Sequence, residues 1–345
     1  MSDVVRLGII GAGAIAQSYI KALEVCPVGK LTAIADLRTD VAKAVSESAQ
    51  CRSYASHLEL AEGKECDAVI ICTPPSAHSD IAQAFLERGI PVLCEKPLST
   101  DSATARSVCE QARRQGVGLA MASKFRYVED VIRAKSIVAS GLVGEVILVE
   151  NTFAATVDMS RRWNSDPAIS GGGVLIDNGT HSVDIIRYLI GPIVELTAFE
   201  GKRVQKLPVE DTVTLFMRTE GGADATIDLS WSINKEQDSY IRVYGSHGIV
   251  QVGWGASRYR QLTSQDWIVF GRGYDKIAAF RGQLANFCNH VRNGEPLLIS
   301  PEDAIASVEV IQAAYQALHK RQWVSLRSTR TRGAVLQMAS AQAGL

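Results

Sequence analysis

The chain has 345 residues, of which 46% are hydrophobic and 21% charged, a composition that excludes wholesale disorder and supports a core without disulfides or metal. Lys plus Arg number 36 against 37 Asp plus Glu, for a net charge of −1, and no basic block is present to meet a nucleic-acid backbone or an anionic membrane. The length predicts two domains.

The seven cysteines are scattered and never spaced Cys-x-x-Cys, so they read as reduced thiols of a cytoplasmic protein rather than as a disulfide framework or metal ligands. No apolar run reaches the roughly 18 residues that a membrane span needs, and no basic segment precedes the first strand pattern, so neither membrane helix nor signal peptide is expected.

From the N-terminus, apolar runs at 4–10, 31–35, 68–72, 92–94 and 117–122 alternate with helix-compatible stretches. That alternation predicts βαβ units and a doubly wound parallel sheet. The first run enters a helix through Gly11-x-Gly13-Ala14-Ile15-Ala16, the arrangement that aims backbone N–H groups at a pyrophosphate. Asp36 ends the next strand, where a carboxylate accepts from the hydroxyls of an adenosine ribose. It would repel a 2′-phosphate, so NAD is the preferred cofactor, while Arg38 keeps NADP possible.

Two further strand ends carry chemistry. The run at 68–72 leads into Thr73-Pro74-Pro75 with His78 beyond it, and the run at 92–94 into Glu95-Lys96-Pro97. Open α/β sheets place their ligands at the carboxyl ends of their strands, and a residue before proline has a restricted backbone, so Lys96 reads as an aimed side chain. Helices are predicted over 77–88, stopped by Gly89 and Pro91, and over 101–115, opened by Ser99 and Thr100 and closed by Gly116.

The character changes after 123, which places a dinucleotide-binding domain at 1–123 and a substrate-binding and oligomerisation domain at 124–326, with a mobile tail at 327–345. The second domain reads as a helix over 130–140, then strands at 145–157, 193–203, 211–219, 224–231 and 240–252 forming a large, mostly antiparallel open sheet, then helices over 276–293 and 302–320. Alternation in 224–231 puts Ile227, Leu229 and Trp231 on one side of a strand, and such a face in a soluble protein usually finds a partner. A homodimer or homotetramer through this sheet is expected.

Within the second domain, the glycines at 171–173 precede a helix on which Asp177, His181, Asp184 and Tyr188 share one face. A carboxylate one turn from an imidazole can orient it and raise its basicity, so His181 reads as a general base charged by Asp177. Trp163 and Asn164 suit a sugar, whose ring C–H groups stack on an aromatic face. His57, His290 and His319 lack a matching constellation, and His247 reads as part of a hairpin turn at 245–248.

These motifs in this order resemble the Gfo/Idh/MocA family of glucose-fructose oxidoreductases, inositol dehydrogenases and rhizopine-catabolism proteins. The matching residues are Gly11 to Ala16, Thr73 to Pro75 with His78, Glu95-Lys96-Pro97, Gly141-x-x-Gly144-Glu-Val, and Gly171-Gly-Gly-x-Leu-x-Asp177-x-Gly-x-His181. The resemblance implies a Rossmann domain, NAD or NADP, a sugar or cyclitol substrate, and catalytic roles for Lys96, Asp177 and His181. Where many relatives carry asparagine or another residue, this chain has Lys124, so a second lysine reaches the substrate end, with Arg126 beside it in the substrate-binding set. Two other outcomes on the scaffold are a redox-neutral, glycosidase-type enzyme that retains NAD and a dinucleotide or sugar sensor without turnover.

Overall fold

The computed structural model describes residues 4–326, and the tail expected at 327–345 lies outside them. Its first half runs β1 (Val5–Ile10), α1 (Ala14–Leu23), β2 (Gly29–Ala35), α2 (Thr39–Ala49), β3 (Arg52–Tyr54), α3 (His57–Glu62), β4 (Ala68–Ile71), α4 (His78–Leu86), β5 (Val92–Glu95), α5 (Ser102–Gln115) and β6 (Leu119–Ala122). All six strands pair in parallel in the order β3-β2-β1-β4-β5-β6, which is the arrangement of a doubly wound dinucleotide-binding sheet. Because helices cover both faces, a central strand such as β4 is buried along its whole length. The α5 start is set by Asp101, whose side chain accepts from the Thr104 N–H, rather than by Ser99 or Thr100. Its end is set by Gly116 at φ 65°.

The second half runs α6 (Glu129–Ala139), β7 (Val146–Ala154), α7 (Pro167–Ser170), α8 (Val174–Ile190), β8 (Ile193–Glu200), β9 (Thr212–Thr219), β10 (Asp224–Ser230), β11 (Ser239–Gly245), β12 (Gly248–Gly253), β13 (Ser257–Gln261), β14 (Ile268–Gly271), α9 (Lys276–Asn293), α10 (Pro301–Lys320) and β15 (Val324–Ser325). Its nine strands lie in the order β14-β13-β12-β11-β7-β10-β9-β8-β15, antiparallel except for the parallel pair β7 and β10. The run at 240–252 resolves into β11 and β12, with Ser246 and His247 in the turn between them.

One expectation about this sheet is overturned. Ile227, Leu229 and Trp231 do not offer a free face: they are 0%, 1% and 3% exposed. They belong to the core that α8 and α10 build against the sheet. So close is α8 that a Cβ added at Gly179 would come within 3.1 Å of Leu229 Cδ1. Each such side chain withdrawn from water contributes roughly 1.5–3 kcal/mol. The opposite face carries Thr212, Thr214, Phe216 and Arg218 of β9, with Phe216 against Phe199 at 6.4 Å between ring centroids.

The last two helices return to the first sheet. Phe280, Leu284 and Phe287 of α9 share a core with Leu7, Ile9 and Tyr19, and Ala304 and Val308 of α10 pack with Ala105 and Val108 of α5. The carboxyl ends of β1, β4 and β5 are thereby held against the start of α8, and the cleft lies between them.

Candidate active site

A cleft of about 780 Å³ is lined at one end by Gly13, Ala14 and Ile15 and at the other by Asp177, Asn178 and His181, with Thr73, Glu95, Lys96 and Lys124 between. Gly11 has φ +93°, and a Cβ there would stand 2.9 Å from the carbonyl carbon and oxygen of Cys72, so only glycine lets β1 turn beside the end of β4. A Cβ at Gly13 would meet nothing within 4 Å, which leaves the backbone open to a ligand. No side chain caps α1, and no acidic residue stands in its first turn. Its free N–H groups and positive dipole end are suited to a pyrophosphate. The buried Thr73 hydroxyl also has no protein partner.

Asp36 directly follows β2. Its carboxylate accepts from the Ala12 N–H at 2.8 Å and the Arg38 N–H at 2.9 Å, and pairs with the Arg38 guanidinium at 3.3 Å. Burial pushes this carboxyl up, but those donors outweigh it and leave Asp36 below its ordinary range. The donor set thus fits a dinucleotide whose ribose hydroxyls meet an ionised carboxylate. Pro74 and Pro75 shape the turn after Thr73, with Pro75 buried at the start of a 3₁₀ turn.

At the reacting end, Lys96 Nζ donates to Asp177 Oδ1 at 2.5 Å and to the Asp177 carbonyl oxygen at 2.8 Å. The aimed lysine is therefore fixed twice, by the peptide chain before Pro97 and by the first turn of α8. Asp177 is thus engaged with Lys96, which corrects the expectation that it charges His181. The imidazole packs edge-on to Phe125 at 5.1 Å, and its Nδ1 has no protein partner. Burial, then Lys96 and Lys124, holds His181 well below the usual histidine range, so it is neutral at physiological pH and able to accept a proton.

Lys124 follows β6 in a 3₁₀ turn and reaches the same space. Burial is the chief cause that pushes it down to about 8, with Lys96 and Lys276 adding to the shift and Glu95 opposing it. Glu95 is itself buried. It accepts from the Tyr19 hydroxyl at 2.8 Å and from the Lys96 N–H at 3.2 Å, and burial raises its carboxyl above the ordinary value. Trp163 and Asn164 line the rim as expected, together with Trp254 and Asn234.

Two expected site residues, His78 and Arg126, serve the architecture instead, as does Asp184 on the face of His181. His78 is 1% exposed, and its ring nitrogens lie 2.7 Å from the Pro97 carbonyl and 2.8 Å from that of Thr73. It braces the two loops from behind and does not line the cleft. Arg126 is buried and spans Asp184, at 2.6 Å, and Asp303, at 2.9 Å, so it is not available to substrate. Asp184 is 0% exposed and also accepts from Ser123 Oγ at 2.6 Å; it therefore lends no charge to His181. The sequence reading missed Tyr19 and Gln283, whose amide donates to the Tyr19 hydroxyl at 2.8 Å, and Lys276 at the cleft wall. A signal for Tyr19 existed in its place on α1, one turn past Ala16 and facing β5, while Gln283 and Lys276 depended on where α9 docks.

Comparison with known proteins decides the family. Residues 5–123 match the model described as "Oxidoreductase family, NAD-binding Rossmann fold", and residues 131–251 match the GFO/IDH/MocA C-terminal domain. The chain belongs to the Gfo/Idh/MocA oxidoreductase family. Its cofactor is accordingly NAD. An inositol 2-dehydrogenase of Rhizobium meliloti (strain 1021) is 25% identical over 342 residues, spanning 93% of this chain and 99% of its own. A myo-inositol 2-dehydrogenase of Thermotoga maritima is 26% identical over 336 residues, spanning 93% and 98%. Among solved structures, a levoglucosan dehydrogenase in complex with NADH and levoglucosan has a TM-score of 0.88 at 18% identity, over 94% of this chain and 99% of its own, a likeness of fold. Among the described residues no helix is long and apolar enough to cross a membrane, and no cluster of His, Cys, Asp and Glu could hold a metal.

Proposed function

We propose that this protein is a sugar or cyclitol dehydrogenase that transfers hydride between NAD and a secondary alcohol carbon or its ketone. The observation that carries the reading is the convergence of an anchored ammonium, Lys96, and a neutral imidazole, His181, on the cleft that begins at the uncapped N-terminus of α1. The inositol and sugar dehydrogenases among its relatives support the substrate class.

When bound, the nicotinamide supplies the hydride acceptor or donor at its C4. The α1 N-terminus would hold the pyrophosphate and Asp36 the adenosine ribose. Lys96, with two N–H groups on Asp177, has one left that would meet the substrate oxygen or the nicotinamide ribose, and its charge would stabilise negative charge as it develops. His181 takes the hydroxyl proton in oxidation and returns it in reduction. Aromatic faces at Trp163 and Trp254 and the amides of Asn164, Asn178 and Asn234 offer the mixed stacking and hydrogen bonding that a polyol ring needs.

The test is a screen of free sugars, inositols and nucleotide sugars with NAD and NADP, read by nicotinamide absorbance. Turnover of at least one polyol with NAD is expected. Net hydrolysis of a glycoside without NADH would favour the redox-neutral reading, and tight NAD binding with no turnover across the screen would favour a sensor. We also place the protein in the cytoplasm, on its seven free cysteines. As a homodimer or homotetramer it would use the outward face of the large sheet, around Phe199 and Phe216, which are 58% and 45% exposed. A monomeric mass by light scattering at micromolar concentration would refute that assembly.

A further inference from the structure

The substrate end of the cleft holds more positive charge than a neutral polyol requires. Lys96 is engaged by Asp177, and Lys235 by Asp228 at 2.6 Å. Among the described residues neither Lys124 nor Lys276 forms a salt bridge. Instead, both line the cleft and lie near one ring, Lys124 Nζ at 5.8 Å and Lys276 Nζ at 5.9 Å from the centroid of Phe280, with Lys124 also 5.2 Å from that of Phe125. Phe280 is fully buried and packs edge-on against Tyr19 at 4.6 Å.

The charged groups that face Lys124 are Glu95 and Lys96 at the end of β5, Asp177 on α8 and Lys276 on α9, with His181 beside them. Three ammonium groups therefore meet two carboxylates. Both carboxylates are already bonded, Asp177 to Lys96 and Glu95 to the Tyr19 hydroxyl and the Lys96 N–H. Burial is the chief cause that brings Lys124 down to about 8, and the nearby Lys96 and Lys276 add to it. An anionic group on the ligand would remove the imbalance.

We propose that Lys124 and Lys276 form a carboxylate subsite, and that the polyol substrate is a sugar acid, such as a uronate or aldonate. The inference rests on the dehydrogenase reading above and narrows its substrate class. A carboxylate suits the site better than a phosphate. Phosphate groups favour the free N–H groups of a helix N-terminus, and at α9 the anionic side chain of Asp275 already caps that end, accepting from the Ala278 N–H at 2.9 Å. Binding of a carboxylate raises the affinity of Lys124 for its proton, so the complex takes up a proton when it forms above about pH 8. Affinity for the acid is greatest below that pH and is lost as pH rises through it.

The test compares matched probes, glucose with glucuronate and galactose with galacturonate, in the NAD-saturated full chain. We measure kcat/KM and, by calorimetry, sugar binding without turnover, for the wild type, Lys124→Met and Lys276→Gln. The wild type should favour the acid of at least one pair by about tenfold or more, in kcat/KM or in binding. Each substitution should cut that ratio by about tenfold, and the preference should fade above about pH 8. Lys276 is exposed at the first position of α9, so its variant folds and keeps the test decisive if Lys124→Met does not. A neutral sugar preferred in both pairs, or a ratio unchanged in Lys276→Gln, would overturn the subsite while turnover of the neutral sugar left the dehydrogenase reading intact. Should neither sugar of a pair turn over, the reading of the reaction is decided by the wider screen, and calorimetry alone decides the subsite. Weaker NAD binding in Lys276→Gln with an unchanged acid-to-neutral ratio would assign the lysine to the cofactor and overturn the proposal.

Discussion

Asp177 and Asp184 stand on one face of the same helix, and each meets a cation from elsewhere in the chain, Lys96 after β5 and Arg126 in the turn after β6. Their surroundings differ. The Asp177 side chain is 24% exposed and its partner Lys96 13%, whereas Asp184 and Arg126 are at 0% and 5%. The first pair opens onto the cleft and holds a lysine ready for a ligand. The second is sealed among Ser123, Asp303 and Tyr188 and ties α8 to the turn after β6 and to the start of α10. Identical helical spacing thus yields one pair for chemistry and one for architecture, and solvent access decides which.

The sharpest way to break this comparison is to remove each cation. Arg126→Ala strands Asp184 in a site without water, and breaking a buried pair in this way costs about 3–5 kcal/mol. Lys96→Met leaves Asp177 at the cleft, where water can replace the ammonium, and should cost about 1 kcal/mol or less. Urea unfolding of both variants reads the difference. Equal losses would show that solvent access does not separate the pairs.

The next effect is kinetic. His181→Ala should lower kcat by on the order of 10²- to 10⁴-fold, the range for loss of a general acid–base group, with NAD affinity nearly kept because the imidazole faces substrate. Burial and the two lysines keep His181 well below the usual histidine range. The acid limb of the wild-type kcat profile should therefore fall below about pH 6.5, the unperturbed imidazole value. An acid limb above that value would mean that a nearby carboxylate supports the ring after all.

Asp177→Asn asks that question directly and should have a smaller effect. If Asp177 acts by holding Lys96, its loss should lower kcat about tenfold, raise KM for substrate and leave the acid limb where it was, because the cations Lys96 and Lys124, not Asp177, are the charges that bear on His181. A limb displaced by the substitution would restore the aspartate to the role the sequence first suggested.

That misreading has a physical origin. The cofactor half was legible because its signals are local: Gly11, Gly13 and Ala16 lie within one turn, Asp36 ends the following strand, and the parallel order follows from alternating elements. At α8 the helical face was legible too, but its partners were not, since Lys96 and Arg126 arrive from elements far back in the chain. Lys96 occupies the carboxylate that local spacing had offered to His181, and Arg126 occupies Asp184 on the same face. The same limit hid the docking of α9, itself expected at 276–293, whose packing on α1 places Gln283 and Lys276. The alternation of 224–231 fixed which residues share a face and left open whether helices of the same chain would cover it. Strands β13 and β14 escaped notice because a segment such as Ser257-Arg-Tyr-Arg-Gln261 has no run of alternating apolar residues.

The smallest expected effect concerns the cofactor end, where structure and sequence agree most closely. Asp36 is held by the Ala12 and Arg38 N–H groups, which keep it ionised at neutral pH. A 2′-phosphate placed there would meet that charge across a short distance. Arg38 offsets part of the repulsion, because its side chain is 65% exposed and already leans on Asp36 at 3.3 Å, from which it can turn to a phosphate. NADH should therefore bind about tenfold more tightly than NADPH, a gap of about 1.4 kcal/mol. Asp36→Ala should narrow the gap from both sides, losing acceptors for the ribose hydroxyls and freeing Arg38 for the phosphate. Dissociation constants from nicotinamide fluorescence check both parts, and tighter binding of NADPH by the wild type would show that Arg38, not Asp36, governs the choice.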